Sequence, residues 1–475
     1  MDKYQLIIIG GGPGGYTAAI RGAQLGLRTA LVEERELGGT CLNRGCIPTK
    51  ALLHSAELYR AAKDDFSQLG IQLSGLDYDG EQLYARKEQV VTNLRDGVAQ
   101  LIKANRVDFY AGHGQILGQG RVLVQPKEGE AQELETDNIL IASGSVPVCP
   151  PIPGIESPGV VSSDQLLEGS GVLVEGKLPQ RLTIIGGGVI GCEFAGVFSA
   201  LGSSVTIVEF LDRLVPTVDK DISQNLAMIM KKRGVSVHTS SKVTAIEPSA
   251  EGLVCRFEGK KGEEQAVSDL ILVSTGRRAN TAGLLAEGVE LNTERGLILV
   301  DEQFRTSMPG VYAIGDVIGG IQLAHKAEAE GQAAVAIIAG EKPETRLDLI
   351  PSCIYTDPEI ACVGLTEAAA KEQGRAVKIG KFMMAANGKT QIAMSERGFI
   401  KLVFDEESEA LLGAAMMCCR ATDMLSELTT AISQGLTIHQ LAAVVRPHPT
   451  FNEAVTEAVE AALGRSIHSA PKKAR

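Results

Sequence analysis

Cys41 and Cys46 are the residues whose types and spacing point most directly to chemistry. They lie in the stretch GGTCLNRGCIPTK, residues 38–50. Such a pair can belong to a zinc site, a structural disulfide or a redox disulfide. Zinc needs two more ligands of similar character, and the adjacent Cys418 and Cys419 are awkwardly spaced for one tetrahedral ion. We therefore expect no metal site. Nine dispersed cysteines in 475 residues are typical of a reducing cytoplasm, which disfavours a structural disulfide.

A redox disulfide requires that the local backbone bring the two sulfur atoms together. Pro48 suits the first turn of a helix, and KALLHSAELYRAA continues as a helix. In a regular α-helix, residues five apart are rotated by about 500°, so they lie roughly 140° apart around the axis. A bridge therefore requires a distorted first turn, which Gly45 could permit. A helix N-terminus also lowers the pKa of a nearby thiol and favours the reactive thiolate.

The chain contains a duplicated unit, and the cysteine pair follows its first copy. Residues 6–32 predict a strand, a glycine turn, a helix and a second strand, and residues 182–209 repeat the pattern. In each unit the glycines permit a tight turn, let the backbone approach a pyrophosphate and let the helix pack on the strand. A carboxylate about 20 residues further on can accept from ribose hydroxyls. The pattern predicts two dinucleotide sites, formed by Gly10, Gly12, Gly15 and Glu33, and by Gly186, Gly188, Gly191 and Glu209.

Composition excludes some other functions. The net charge is −12 and the chain has no block of five or six basic residues, which argues against nucleic acid as the main partner. The apolar run near the start breaks at glycines too soon for a membrane span or a signal peptide, so it predicts a buried strand. Beyond residue 345, IKLVFDEESEALLGAAMM predicts an antiparallel hairpin turning near residues 405–408, followed by helices.

Taken together, these motifs resemble the class I pyridine nucleotide-disulfide oxidoreductases, which are flavin-dependent enzymes. Seven motifs occur in the same order as in the family: the first glycine motif, the cysteine stretch, the second glycine motif, YAIGDV, LAHKAEAEG, YTDPEIACVG and HPTFNEA. Within the family, the dihydrolipoamide-oxidising branch is most similar. The resemblance implies an α/β fold with two Rossmann-like domains and a C-terminal α+β dimerisation domain, as in glutathione reductase. We expect an FAD domain at 1–147, an NAD domain at 148–275, a second FAD or central part at 276–345 and the interface domain at 346–475.

The resemblance also implies which residues hold FAD. Glu33 corresponds to the residue at the adenosine ribose and Asp316 to the acid near the ribityl chain. Lys50 and Glu193 correspond to an ion pair beside the flavin ring, although a surface lysine and an exposed helix glutamate are the alternative. His325 could equally be an ordinary packed histidine. The further FAD positions implied are Gly114, Ser143, Leu323, Ala324 and His325.

For the reaction, the resemblance implies that Cys46 faces the flavin and Cys41 exchanges with a dithiol substrate. Because a thiolate is the nucleophile, exchange needs a base, and His448 held in one tautomer by Glu453 can supply it. The alternative is a surface histidine in a proline-stiffened loop. The family suggests a cis bond before Pro449 and takes this histidine from the other subunit, so a homodimer with shared active sites is expected.

The second nucleotide is expected to be NAD. Glu209 can accept from a ribose 2′-hydroxyl but would repel a 2′-phosphate, and NADPH-using relatives carry arginines where this chain has Glu209 and Val215. Val243 and Gly276 correspond to other NAD contacts. The expected activity is oxidation of dihydrolipoyl groups, carried by a separate lipoyl-bearing protein of a multienzyme complex, with reduction of NAD+. The rival functions are an NADPH-dependent disulfide reductase, a metal-ion reductase and a flavoprotein scaffold without activity.

Overall fold

The structure, a computed structural model, describes residues 3–169, 172–173, 176–395 and 398–470. The chain divides into two compact units. The first comprises Met1–Ser55, Tyr78–Pro179 and Leu270–Leu347, and the second comprises Ala56–Asp77, Gln180–Asp269 and Asp348–Arg475. No helix in the described ranges is both long enough and apolar enough to cross a membrane.

Strands and helices alternate through much of the chain. The strands are β1 (Tyr4–Ile9), β2 (Thr29–Glu33), β3 (Asp108–Ala111), β4 (His113–Gly118), β5 (Arg121–Gln125), β6 (Gln132–Ile141), β7 (Ser145–Pro147), β8 (Val160–Ser162), β9 (Arg181–Ile185), β10 (Ser204–Glu209), β11 (Ser236–Thr239), β12 (Lys242–Ser249), β13 (Gly252–Gly259), β14 (Gly262–Ser268), β15 (Leu270–Val273), β16 (Arg277–Ala279), β17 (Thr293–Glu294), β18 (Leu297–Ile298), β19 (Val311–Ala313), β20 (Ser352–Ile354), β21 (Glu359–Gly364), β22 (Val377–Met383), β23 (Phe399–Asp405) and β24 (Leu411–Cys418). The helices are α1 (Pro13–Gln24), α2 (Gly39–Arg44), α3 (Cys46–Asp64), α4 (Gly80–Ala104), α5 (Ser163–Glu168), α6 (Val189–Ala200), α7 (Lys220–Lys232), α8 (Ala324–Ile338), α9 (Glu367–Glu372), α10 (Gly388–Ile392), α11 (Ala421–Ser433), α12 (Ile438–Ala442) and α13 (Glu453–Ala462).

The first unit is built on a parallel sheet. Its strand order is β19-β6-β1-β2-β3, and all four pairings are parallel. The alternation of side chains along β1 explains why this strand is apolar throughout: Ile7 and Ile9 join the core that includes β4 and β5, whereas Leu6 and Ile8 join the core that includes α1 and α8. The carboxyl ends of the parallel strands meet at one edge, and the turn after β1 lies there.

The second unit contains the repeated strand-helix-strand pattern and a separate antiparallel sheet. Strands β9, β10 and β11 are parallel and are connected through α6 and α7. Strands β20-β21-β24-β23-β22 form the antiparallel sheet, and α11 and α13 pack on it. The predicted hairpin is β23 and β24, which pair from Phe399 opposite Met417 to Phe404 opposite Leu411. Both predicted repeats and the hairpin are therefore confirmed.

Candidate active site

Cys41 and Cys46 form a disulfide, with their Cα atoms 4.7 Å apart. Cys41 lies in α2 and Cys46 begins α3, so the two cysteines do not share one regular helix. The break falls at Gly45, whose φ of −145° and ψ of −113° are not helical. A Cβ added to Gly45 would lie 2.8 Å from the Thr40 carbonyl oxygen, which leaves room only for glycine. The distorted turn expected from the sequence is confirmed.

The first glycine turn connects β1 to α1. Gly10 has a φ of +107°, and a Cβ there would lie 2.3 Å from the Ala142 carbonyl oxygen. A Cβ on Gly15 would lie 1.8 Å from the Gly10 carbonyl oxygen, so both positions require glycine for close backbone approach. The Glu33 carboxylate fixes the turn, because it accepts from the backbone amide of Gly11 at 2.6 Å.

The second glycine turn has the same construction. Gly186 has a φ of +108°, and Gly188 precedes the first turn of α6, in which Gly191 is buried. The buried carboxylate of Glu209 accepts from the Gly187 amide at 2.5 Å and from the Leu211 amide at 2.6 Å. Glu33 makes the corresponding pair of bonds, to the amides of Gly11 and Arg35. The repeat seen in the sequence thus extends to hydrogen bonding.

The helix ends behind both turns suit a pyrophosphate. Within the described ranges, α1 and α6 start at Gly12 and Gly188 without a side-chain cap and without an acidic residue in the first turn. By contrast, α7 is capped by the carboxylate of Asp219. Pro13, the first residue of α1, has no N–H, but the amides that follow it and the first amides of α6 can donate to an anion, and the partial positive charge of each helix end favours it. These two turns fit dinucleotide cofactors.

The other positions expected to bind FAD lie in the first unit. A Cβ on Gly114 would lie 3.0 Å from the Ile9 side chain, so this glycine keeps β4 against the strand that leads into the turn. The Ser143 hydroxyl donates to the Asn280 carbonyl at 2.7 Å. Leu323 precedes α8, and Ala324 and His325 are its first two residues. Their assignment to FAD remains a prediction.

Asp316 is joined to residues that the sequence reasoning missed. Its Oδ2 accepts from the Ser145 hydroxyl at 2.5 Å, and that hydroxyl accepts from Nε of Arg277 at 2.8 Å. Arg277 was not among the residues selected from the sequence. Its local sequence carries no signal of burial, because the partners lie more than 100 positions away.

The expected NAD contacts belong to different compact units, Val243 to the second and Gly276 to the first. Val243 is buried on β12, whereas Gly276 has a φ of +120° and its carbonyl accepts from the Val148 amide at 3.0 Å. Val215 is fully buried with a φ of +39°, and its amide donates to the Gly187 carbonyl at 2.9 Å. Val215 therefore packs beneath the second glycine turn. The roles of Val243 and Gly276 stay predictions.

Lys50 and Glu193 lie on different helices. Lys50 is in the second turn of α3. Glu193 is in α6, only 3% exposed, and its Oε1 accepts from the Tyr355 backbone amide at 2.9 Å. The alternative of an exposed helix glutamate is therefore wrong. The pairing of Glu193 with Lys50 stays a prediction.

His448 and Glu453 form an imidazole–carboxylate pair. Nδ1 of His448 lies 2.8 Å from Oε1 of Glu453, and Oε2 accepts from the Thr450 amide at 2.8 Å. Because an ionised carboxylate only accepts, the proton must be on Nδ1, which leaves Nε2 of a neutral ring as a proton acceptor. Partial burial opposes ionisation of Glu453, but the bonds from Thr450 and His448 outweigh it and lower the pKa of this carboxyl.

The imidazole of His448 is exposed, so it can act on a group outside its own subunit. The His448 side chain is 77% exposed, and the His448–Pro449 peptide bond is cis, as the family resemblance implied. Glu453 begins α13, so the carboxylate that orients the ring is anchored on a helix.

Cys418 and Cys419 do not form a comparable site. Cys418 is 1% exposed in the core of the antiparallel sheet, and burial raises the pKa of its thiol. Burial also raises the pKa of Cys419. Across the described residues, no group of three or more His, Cys, Asp or Glu side chains could hold a metal ion.

Comparison with known proteins decides the family. Residues 4–331 match the family described as pyridine nucleotide-disulphide oxidoreductase, and residues 350–459 match its dimerisation domain. The chain belongs to this family.

Individual relatives cover nearly the whole chain. Dihydrolipoyl dehydrogenase of Bacillus subtilis is 43% identical over 98% of this chain and 99% of its own length. Dihydrolipoyl dehydrogenase 3 of Pseudomonas putida is 41% identical over 96% of this chain and 98% of its own. The Cu(II) complex of the HOCl-induced flavoprotein disulfide reductase RclA from Escherichia coli has a TM-score of 0.85 at 30% identity, covering 97% of this chain and 100% of that one.

Membership of the pyridine nucleotide-disulphide oxidoreductases confirms three expectations. The fold is α/β with glutathione-reductase-like architecture, the cofactors are FAD and NAD(H), and the chain is an oxidoreductase. The match to the dimerisation domain also supports a homodimer.

Proposed function

We propose that this protein is a dihydrolipoyl dehydrogenase, which oxidises dihydrolipoyl groups on a separate carrier protein and reduces NAD+. The observation that carries the proposal is the Cys41–Cys46 disulfide at the Gly45 turn, in a chain that shares 41% and 43% identity with dihydrolipoyl dehydrogenases. We place the protein in the reducing cytoplasm as a homodimer, and we keep the domain boundaries expected from the sequence.

The cysteine pair accepts two electrons from the substrate. One substrate thiolate attacks Sγ of Cys41, which breaks the Cys41–Cys46 bond and forms a mixed disulfide. The second substrate thiolate attacks its own disulfide-bound sulfur, closes the lipoyl ring and releases Cys41. The substrate is then oxidised, and the two cysteines hold the electron pair. Bound FAD supplies the acceptor for that pair and the donor of hydride to NAD+.

His448 takes up the proton that the substrate thiol must lose. Its Nε2 is the acceptor because Glu453 keeps the proton on Nδ1. We assign this histidine to the cysteine pair of the partner subunit, so each active site is shared. The exposed ring supports that assignment, since a base serving another subunit must project from its own.

The cofactor sites follow the two glycine turns. In the first, Gly10, Gly12, Gly15 and Glu33 would hold the FAD adenosine diphosphate half, with Asp316 near the ribityl chain and Lys50 and Glu193 beside the ring. In the second, Glu209 would accept from a ribose 2′-hydroxyl. Two backbone amides fix that carboxylate, and it would repel the 2′-phosphate of NADP.

The test is NADH formation from free dihydrolipoamide by the FAD-loaded protein, with NAD+ compared against NADP+. We expect turnover with NAD+ and at least about tenfold less with NADP+. Cys46→Ser should abolish turnover, whereas Cys149→Ser, which alters an exposed thiol elsewhere, should not. Reduction of glutathione disulfide or mercuric ion with NADPH, without dihydrolipoamide oxidation, would contradict the proposal.

A further inference from the structure

Arg277 is the centre of a hydrogen-bond network in the first unit. Arg277 is the first residue of β16, directly after Gly276, and its side chain is 13% exposed. Nε donates to the Ser145 hydroxyl at 2.8 Å, Nη2 to the Ser145 carbonyl at 2.7 Å, and Nη1 lies 3.2 Å from Asp164 Oδ1. The planar fork thus engages three acceptor atoms at 3.2 Å or less, which a lysine ammonium could not match in direction.

One branch of the network reaches Asp316. The Ser145 hydroxyl accepts from Arg277 and donates its own proton to Asp316 Oδ2 at 2.5 Å. Ser145 is 8% exposed, so loss of the arginine would leave the hydroxyl without its donor in a dry site. The orientation of the Asp316 carboxylate therefore depends on Arg277.

A second branch reaches the disulfide. Nη2 of Arg277 lies 3.4 Å from the Thr40 hydroxyl, which is a long hydrogen bond. Thr40 directly precedes Cys41 in α2, and its carbonyl faces the Gly45 turn. The contact thus ends at the turn that holds the two sulfur atoms.

Helix α5 reinforces this second branch. Asp164 near its start holds Arg277, and Glu168 at its end lies 3.8 Å from Arg44, which stands between the two cysteines in sequence. The carbonyls of the last turn are also held from α4: the Tyr84 hydroxyl donates to Leu166 at 3.0 Å, and the Lys87 ammonium donates to Leu167 at 2.5 Å. Helix α5 is therefore held at both ends and connects Arg277 with Arg44 of α2.

We propose that Arg277 is a positioning residue that sets the Cys41–Cys46 turn in register with Asp316. The proposal rests on the proposed function in one respect, namely that Asp316 holds the flavin. Arg277 and Asp164 are nearly buried with opposite charges, an arrangement that adds specificity of placement rather than much net stability.

The test compares Arg277→Gln and Arg277→Lys with the same changes at Arg278, the exposed neighbour on β16. Two activities are measured on FAD-loaded protein: dihydrolipoamide oxidation by NAD+, which needs the cysteine pair, and NADH oxidation by ferricyanide, which needs only the flavin. We expect Arg277→Gln to lower kcat of the first about 10- to 100-fold, because small misplacements of reacting groups are costly. The second activity should change less than about twofold, and Arg277→Lys should recover only part of the loss.

Ser145→Ala removes only the hydroxyl between Arg277 and Asp316. It should lower dihydrolipoamide oxidation less than Arg277→Gln does, and it should leave NADH oxidation by ferricyanide nearly unchanged. Equal behaviour of the Arg277 and Arg278 variants would overturn the proposal. So would a parallel loss of both activities together with FAD content and Tm, which would make Arg277 merely structural. Wild-type protein that fails to oxidise dihydrolipoamide would instead contradict the proposed function.

Discussion

At the residue scale, the pair of His448 and Glu453 shows how one carboxylate can fix a base. Oε1 faces Nδ1 of the imidazole and Oε2 accepts from the Thr450 amide, so neither oxygen is free to turn away. The Thr450 hydroxyl in turn donates to the Pro447 carbonyl at 2.8 Å and closes the loop around the histidine. The tautomer of an exposed ring is thereby set by a group anchored on a helix.

Glu453→Gln should lower kcat for dihydrolipoamide oxidation by about 100-fold, because an amide can also donate and no longer keeps the proton on Nδ1. The measurement is steady-state kcat with dihydrolipoamide and NAD+. Glu460→Gln, on the same helix in an ion pair with Arg465, is the matched control and should leave kcat nearly unchanged. Equal losses in the two variants would show that α13, rather than the tautomer, is at fault.

Residue types and spacing predicted part of this chemistry. The sequence alone was enough to select two pairs, Cys41 with Cys46 and His448 with Glu453. The members of each pair lie within one short stretch, where local geometry decides the contact. Arg277 could not be selected in this way, since its acceptor on Asp164 is 113 positions away and only the fold brings the two side chains together.

At the scale of elements, the Gly45 turn is the feature on which the disulfide depends. Gly45→Ala would place a methyl group 2.8 Å from the Thr40 carbonyl oxygen and 3.1 Å from the Cys41 Cα atom, and neither backbone atom can move aside cheaply. We expect a loss of about 1–3 kcal/mol in the free energy of unfolding, measured with urea, and lower activity. Gly97→Ala, in α4 with open space around it, should instead stabilise by about 0.5–1 kcal/mol.

His113 connects β4 to two loops and makes a pH-dependent contact. Nε2 lies 2.9 Å from the Gly283 carbonyl and Nδ1 lies 3.1 Å from a carboxylate oxygen of Glu34. Both partners only accept, so both contacts are satisfied only by the protonated ring. Partial burial disfavours the charge, but these two bonds outweigh it and raise the pKa of His113 above 6.5.

Because the folded state raises this pKa, the contribution of His113 to stability is complete below about pH 6.5 and is lost as pH rises through the folded value. The difference in Tm between wild type and His113→Gln should therefore shrink between pH 6 and pH 9 (roughly the range of the titration). His54→Gln, which alters an exposed histidine on α3, controls for general pH effects. A difference that stays constant or grows with pH would contradict the assignment.

The elements themselves were largely predictable, and their pairing was not. Apolar runs and glycine turns located β1, α1 and β2, as well as β9, α6 and β10, because these signals are local. The sequence did not predict that β6 pairs with two different strands. Residues 132–135 pair with β5 in antiparallel orientation, whereas residues 136–141 pair with β1 in parallel orientation. Such pairing depends on distant strands and has no local signature.

At the scale of the whole molecule, the exposed apolar residues of the C-terminal region favour assembly. Val445 is 94% exposed, Ile467 80% and Ile392 62%, so these apolar side chains are available to a partner surface. Val445 is also three residues before His448. The match to the dimerisation domain supports a homodimer, and under the proposed function His448 would act beside the contact surface.

Mixed dimers test whether the active sites are shared. Cys46→Ser and His448→Gln should each be inactive alone, yet co-refolded chains should recover roughly a quarter of wild-type activity, because half of the dimers are mixed and each has one intact site. Activity is measured after mixing tagged chains and purifying the mixture. Mixing Cys41→Ser with Cys46→Ser is the control and should recover nothing. No recovery in the first mixture would place both residues on one subunit.

The most direct test of the central claim is differential thiol labelling of FAD-loaded protein under anaerobic conditions. The alkylating label is added last, to separate aliquots. Cys41 and Cys46 should resist the label without substrate and accept it after one equivalent of dihydrolipoamide. They should resist it again where excess NAD+ follows dihydrolipoamide before the label. Mass spectrometry of the peptide spanning residues 38–50 reads each state. Two results would contradict the claim that substrate electrons pass through this disulfide: a pair that resists the label after dihydrolipoamide, or a pair that still accepts the label after NAD+ although NADH has formed.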